Sequence, residues 1–269
     1  MEILNFEDYL DEFDYDSIES VYTFDGHKIP RVNHILDVVS NPDLLDWKLR
    51  VGKYKADAIS KIALSIGSAV HESIEKYILD KINFNDDFIE SKCIEHNVPV
   101  NSIVKVYTCI KNFIRWENDL TSKGYTLTPI ANELKLICPY FGGTADFICS
   151  INGANYVIDF KTSKSINELY LTQTAAYRWS INNGYSSLGN IHIHGIGIIR
   201  IDKNSYKYED LFLSDFIPGQ AQLLDFYTGY FWNLLNTYYT NRLAKNKCII
   251  YKEEYDNENY GGIREFKNE

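Results

Sequence analysis

Two aspartates and a lysine near the middle of the chain carry the strongest chemical signal. In FGGTADFICSINGANYVIDFK, residues 141–161, Asp146 lies before an Asn152-Gly153 pair, and Asp159 and Lys161 lie after it. Asn-Gly between two apolar runs is the strongest short-range hairpin signal, because both loop residues of the tight turn need positive φ. With these two as the loop, Ile151 faces Ala154, Asp146 faces Asp159 and Thr144 faces Lys161. Alternation then puts Val157, Asp159 and Lys161 on one face with Asp146, and Tyr156, Ile158 and Phe160 on the other as core. Two carboxylates opposed at about 5 Å repel. A cation between them, or a proton on one, relieves the repulsion, and the ammonium of Lys161 nearby favours the cation. A loop at Gly153-Ala154 would instead make Asp146 and Lys161 a surface ion pair. A three-residue loop would break the shared face.

Other residues with chemical potential are scattered. His71 and Glu75 sit four apart beside the apolar stripe Val70, Ile74, Tyr77 and Ile78, while Glu72 points elsewhere. Gln173 and Tyr177 share a helix face. Glu133 lies on the strand before Asp146. His192 and His194 alternate on a strand and read as structural. Arg50, Lys53, Lys55, Lys61, Lys164 and Arg178 are candidates for a nucleic-acid path, with a solvated face as the default for any one of them. Trp47 and Tyr54 could stack on unpaired bases or pack in the core.

A chain of 269 residues suits one large α/β domain and can bury a substantial core. No apolar run is long enough for a membrane span. The acidic, polar first thirty residues do not resemble a secretory signal. Five cysteines are scattered with no CxxC, which argues for reduced thiols in a cytoplasmic setting and against zinc or iron–sulfur. The net charge of −10 is unevenly spread: −8 in residues 1–30, −3 in 252–269 and +1 between them. A neutral body predicts weak, salt-sensitive nucleic-acid affinity rather than tight binding.

The elements that must position these residues are legible in outline. An acidic arm covers 1–20. A small hairpin turns at Asp25-Gly26, and a short helix covers 32–39. A helix from Asn41-Pro42 reaches about 64, burying Leu45, Leu49, Ala56, Ile59 and Ala63, and Gly67 interrupts it. Ser68 caps the next helix, to about 79. A long amphipathic helix spans 101–120. Strands at 127–138, 141–150 and 155–161 precede a helix at 166–183, strands at 190–201 and 206–213, and an aromatic-rich helix at 221–244. The tail from 252 is polar, with strand character near 249–251. This order predicts an α/β fold: one central mixed sheet flanked by helices, with a helical region (about 32–124) before a sheet core (about 125–215) in a domain of residues 21–251.

Read as G-x-x-D(x12)DFK, residues 142–161 resemble the PD-(D/E)xK nuclease core. GSAVHESIEKY (67–77) resembles the helix that brings a histidine to the site in RecB-type nucleases, and Gln173-x-x-x-Tyr177 resembles their Q-x-x-x-Y motif. The upstream run RVNHILDVVSNPDLLDWKLRVGKYKADAIS resembles phage exonucleases and the mitochondrial genome maintenance exonuclease. Ala145 stands where the loose family proline would, and Asp159 replaces a glutamate. The resemblance implies a restriction-endonuclease-like core and a metal-dependent DNA exonuclease. Magnesium or manganese would be held by His71, Asp146, Asp159 and the backbone carbonyl of Phe160, and no iron–sulfur cluster is expected. Lys161 would orient or deprotonate the attacking water. Gln173 and Tyr177 would reach the phosphate or hold Lys161, with Glu133 and Glu75 in support. Single-stranded DNA or free ends would be the substrate, in phage DNA processing, replication or recombination, in the host cytoplasm and alongside a replication or recombination partner. A structure-selective endonuclease and a non-catalytic DNA mimic, with the acidic arm as bait, are the rival readings.

Overall fold

The computed structural model describes residues 14–39, 42–80 and 84–260, with the backbone alone at 17, 43, 80 and 246–260. Most of the expected acidic arm and the end of the polar tail lie outside the described residues. The part of the arm that is described is anchored: a short 3-10 turn at Tyr15–Ser17 leads to Ile18, which is buried in the core. Strands β1 (Thr23–Phe24) and β2 (His27–Lys28) pair around Asp25 and Gly26, both at positive φ.

Four helices follow α1 (Val32–Leu36) before the sheet: α2 (Pro42–Val51), α3 (Lys53–Asp80), α4 (Asp86–Glu95) and α5 (Ile103–Ser122). The sheet region then runs β3 (Leu127–Ile137), β4 (Gly142–Ile151), β5 (Ala154–Lys161), α6 (Glu168–Asn182), β6 (Gly195–Ile201), β7 (Tyr208–Ser214) and α7 (Pro218–Tyr260). The five strands lie in the order β3-β4-β5-β6-β7. Only the β5–β6 pair is parallel, and α6 supplies its crossover. The fold is therefore α/β: a mixed sheet flanked by helices, with an N-terminal helical region. Helices α3 and α5 cover one face through Phe113, Trp116, Phe147 and Phe160. Helices α1, α6 and α7 cover the other through Ile148, Val157, Phe231 and Tyr239.

The β4–β5 turn is the two-residue loop: Ile151 pairs with Ala154, and Asn152 and Gly153 both take positive φ, at 51° and 86°. Asn152 has a second use. Its side chain accepts from the amide of Thr126 and its own amide donates to the Thr126 carbonyl, pinning the turn to the start of β3.

Several helix bounds differ from the sequence expectation. Gly67 does not interrupt α3, because a helical glycine costs only about 1 kcal/mol and leaves the ladder intact. The break falls at Gly52, whose φ of 84° ends α2 in the left-handed manner of a C-terminal cap. Ser68 is accordingly mid-helix and not a cap. Leu45, Leu49 and Ile59 are exposed rather than buried, while Ala56 is fully covered. Helix α4 was not anticipated; Asn85 caps it by accepting from the Phe88 amide. Helix α7 continues to Tyr260, so residues 249–251 are helical and not strand-like. No glycine or proline occurs between Gly229 and Gly261 to stop it. Cys93, Cys109, Cys138 and Cys149 are buried free thiols; the side chain of Cys248 lies outside the description. Among the described residues no helix is long and apolar enough to cross a membrane.

Gly195, at the start of β6, has no room for a side chain: a Cβ there would lie 2.3 Å from the Leu213 carbonyl and 2.5 Å from the Tyr156 ring. Gly195→Ala should cost roughly 2 kcal/mol in urea unfolding through overpacking. An unchanged midpoint would contradict this packing of the β6–β7 pair.

Candidate functional site

Strand alternation fails at one point, and the site is built there. Phe147 packs in the α3/α5 layer, but Ala145, two residues back, packs in the α6/α7 layer. On β3 the register passes from Asn132↔Phe147 to Leu134↔Ala145, which sets Glu133 opposite Asp146. Glu133 takes φ 45° within the strand, a left-handed conformation that glutamate adopts at a cost of about 1–3 kcal/mol. On the other side, the regular β4–β5 pairing runs from Ile151↔Ala154 to Phe147↔Ile158. Beyond that pair, the amide of Phe160 donates 2.9 Å to Asp146 Oδ2, so a side-chain oxygen occupies the acceptor role of a strand carbonyl. Asp146 and Asp159 are thus not simple cross-strand partners, and Thr144 does not pair with Lys161; it meets the hydroxyl of Tyr22 at 2.8 Å.

Two clusters result. In the first, His71 of α3 places Nδ1 3.3 Å from Asp146 Oδ2, and one ligand atom from each of His71, Glu133 and Asp146 lies within 4.8 Å of the others. Two carboxylate oxygens and an imidazole nitrogen suit a small divalent cation; the oxygens fit magnesium, and the nitrogen tilts preference towards manganese. Glu133 keeps an exposed surface, yet partial desolvation, followed by the charges of Asp146, Glu75 and Asp159, pushes its carboxyl up to about 7. Glu75 thus enters through its charge.

In the second cluster, Asp159 is buried and holds Lys161, whose Nζ donates to Oδ1 at 2.8 Å. The same ammonium pairs with Asp159 Oδ2 at 2.7 Å, although that buried oxygen has no aligned hydrogen-bond donor. Gln173 Oε1 accepts from Lys161 at 3.2 Å, while its Nε2 donates to Asn33 Oδ1 and to the Tyr177 hydroxyl. The ring of Tyr170 lies under the ammonium at 5.0 Å. Burial acts against the charge on Lys161, but Asp159 and Asp146 outweigh it and hold its pKa above the ordinary lysine value. Burial and Asp146 raise the pKa of Asp159, with Lys161 opposing. Gln173 thus meets Lys161 directly, and Tyr177 reaches it only through Gln173.

The clusters meet at Asp146 and Lys161, which wall two cavities. A cleft of about 680 Å³ is lined by His71, Glu133, Phe160, Ser163 and Lys203, among others. A smaller hollow of about 240 Å³ opens towards Tyr22, Arg31, Asn33 and Gln173. The candidate nucleic-acid cations are mostly elsewhere. Arg178 is tied to the Ile193 carbonyl and to Asp215 and reads as structural. Arg50 donates to the Asp46 carbonyl on α2, Lys53 lines a separate hollow with Lys48 and Leu49, and Lys61 does not line the cleft. Lys164 is exposed beside cleft residue Ser163. Tyr54 is fully open and Trp47 half-buried. His192 and His194 serve structure: His192 meets Asp215, and His194 Nδ1 accepts the Asn155 amide. Asn33 and Lys203 carried no sequence signal, since neither belongs to a spaced motif.

No protein-family model matches the chain, and no curated protein matches it. A search of solved structures finds the crystal structure of SSO0001, at 14% identity over 60% of this chain and 70% of that one, with a TM-score of 0.25. That likeness is too slight to carry an argument.

The raised carboxyl of Glu133 has a testable consequence. A folded pKa above the unfolded value means the folded state binds more protons, so stability declines as pH rises from about 4.5 through 7. Glu133→Gln should remove that decline and raise Tm at pH 8 by on the order of 2 °C. Manganese should raise the parent's Tm by mass action, and less in Glu133→Gln or His71→Ala. Equal stabilisation of parent and variants would rule out a cation held by this cluster.

Proposed function

We propose that this protein is a metal-dependent DNA exonuclease that hydrolyses phosphodiester bonds on single strands or free ends. The observation that carries the reading is that the ligand cluster of His71, Glu133 and Asp146 shares one open cleft with Lys161, whose buried partner Asp159 lines the adjoining hollow. A structural ion pair would gain nothing from an adjacent group of crowded carboxylates, which repel one another. The motif resemblance to PD-(D/E)xK and RecB-type nucleases adds the reaction class and the preference for ends.

A magnesium or manganese ion bound there would neutralise a phosphate oxygen and acidify a water. His71, Glu133 and Asp146 would hold it. By resemblance, Asp159, ion-paired with Lys161, would be a further ligand and the carbonyl of Phe160 another. Lys161 lines the cleft beside this cluster, where it would offset charge on the phosphate and orient or deprotonate the attacking water. Gln173, fixed by Asn33 and Tyr177, stops Lys161 from turning away. Phage DNA processing, replication or recombination in the cytoplasm, beside a partner protein of that machinery, is the setting this activity would serve.

Cleavage of a labelled oligonucleotide with magnesium should fall at least about 100-fold in Lys161→Ala and in Asp159→Ala, the cost of losing a preorganised charge at the reacting phosphate. Variants as active as the parent would end this reading in favour of a binding protein. A covalently closed single-stranded circle should resist the enzyme; digestion as fast as the linear form would make it an endonuclease.

A further inference from the structure

We infer that Lys203 forms a second phosphate-binding position in the large cleft, gripping the backbone of the strand beside the bond being cut. This rests on the nuclease reading and adds where the strand is held. Lys203 lines the same cleft as Lys161 and Ser163 but belongs to the turn between β6 and β7, so the cleft is cationic on two elements.

The turn is rigidly built. Asp202 Oδ1 accepts from the amides of Asn204 and Ser205, at 2.8 and 3.2 Å. From α5, Asn112 Nδ2 donates to the carbonyls of Asp202 and Ser205, at 2.7 and 2.8 Å. The buried Arg200 grips Glu209 with two hydrogen bonds and reaches the Ser163 carbonyl at 3.2 Å. One guanidinium thus braces the segment after Lys161 and the strand that leads into Lys203.

The ammonium so presented has no direct ion-pair partner, although Asp202 partly offsets its charge. Among the described residues Lys203 forms no ion pair; neighbouring Asp202 is engaged by the turn amides and by Arg200. Desolvation, with Lys105 and Lys164 nearby, lowers its pKa. A partly desolvated lysine near two others is unfavourable for the protein alone and favourable once an anion arrives. The anion that fits is a phosphodiester, small and singly charged, repeated along a strand whose neighbouring phosphate lies at Lys161.

The test is binding of a fluorescein-labelled single-stranded oligodeoxynucleotide, followed by anisotropy across a salt series with calcium replacing magnesium. Lys203→Gln should weaken binding about five- to tenfold at low salt and flatten the log K against log salt slope by about 0.7, the contribution of one phosphate contact on a single strand. Lys203→Arg should restore both. Parent-like affinity and slope in Lys203→Gln would overturn the position while leaving the nuclease reading intact. So would equal weakening in both variants with the parent's slope, which marks a merely structural turn. A parent that binds no strand at any salt would overturn both.

Discussion

The structure turns on a sheet hydrogen bond made by a side chain. Where β4 and β5 would continue as a regular ladder, the carboxylate of Asp146 takes the amide of Phe160. That exchange lets Asp146 project to where α3 can meet it with His71. It also coincides with the left-handed backbone of Glu133 on the neighbouring strand. A local fault in three adjacent strands thus concentrates charge at one spot, as bulges beside functional sites do. The cost is backbone strain and carboxylate repulsion, and the surrounding core must hold against both.

That core is aromatic and lies directly behind the fault. The Phe160 ring packs with Phe113, Trp116 and Phe147 at centroid distances of 5.7, 6.3 and 6.0 Å. The strand that carries Asp159 and Lys161 is thereby fixed from the α3/α5 side. From the other side α6 supplies Gln173 and Tyr177, and Gly143 makes room for the tyrosine: a Cβ there would lie 2.5 Å from its ring. Lys161 is therefore positioned by two layers that meet only at the sheet, while Asn33 of α1 closes the chain of hydrogen bonds.

Much of this is legible in the sequence. The loop at Asn152-Gly153 gave the register, because positive φ at two successive residues is a local demand that Asn-Gly meets cheaply. Alternation correctly sent Tyr156, Ile158 and Phe160 to one core. It put Asp146 with Asp159 and Lys161, and the three do line one hollow, but it could not show the Asp146 bond to the Phe160 amide, which depends on how three strands share their hydrogen bonds. Glu133 looked secondary for the same reason. The glycine at 67 misled because a glycine weakens a helix without ending it, whereas Gly52 ends one through its φ. The cations assigned to a nucleic-acid path were read from charge alone, and charge does not say which side chains, such as Arg178, are already taken by backbone carbonyls.

By itself the sequence determined the hairpin, the α/β order of elements and the identity of the acids, the lysine and the Gln–Tyr pair, all of which depend on spacing along one or two neighbouring segments. Only the tertiary structure decided that Glu133 joins His71 and Asp146, that Asp159 is committed to Lys161, and that Lys203 enters the same cleft. Those groupings arise between segments far apart in the chain. They depend on helix packing and strand splaying, which are global compromises between burial and hydrogen bonding.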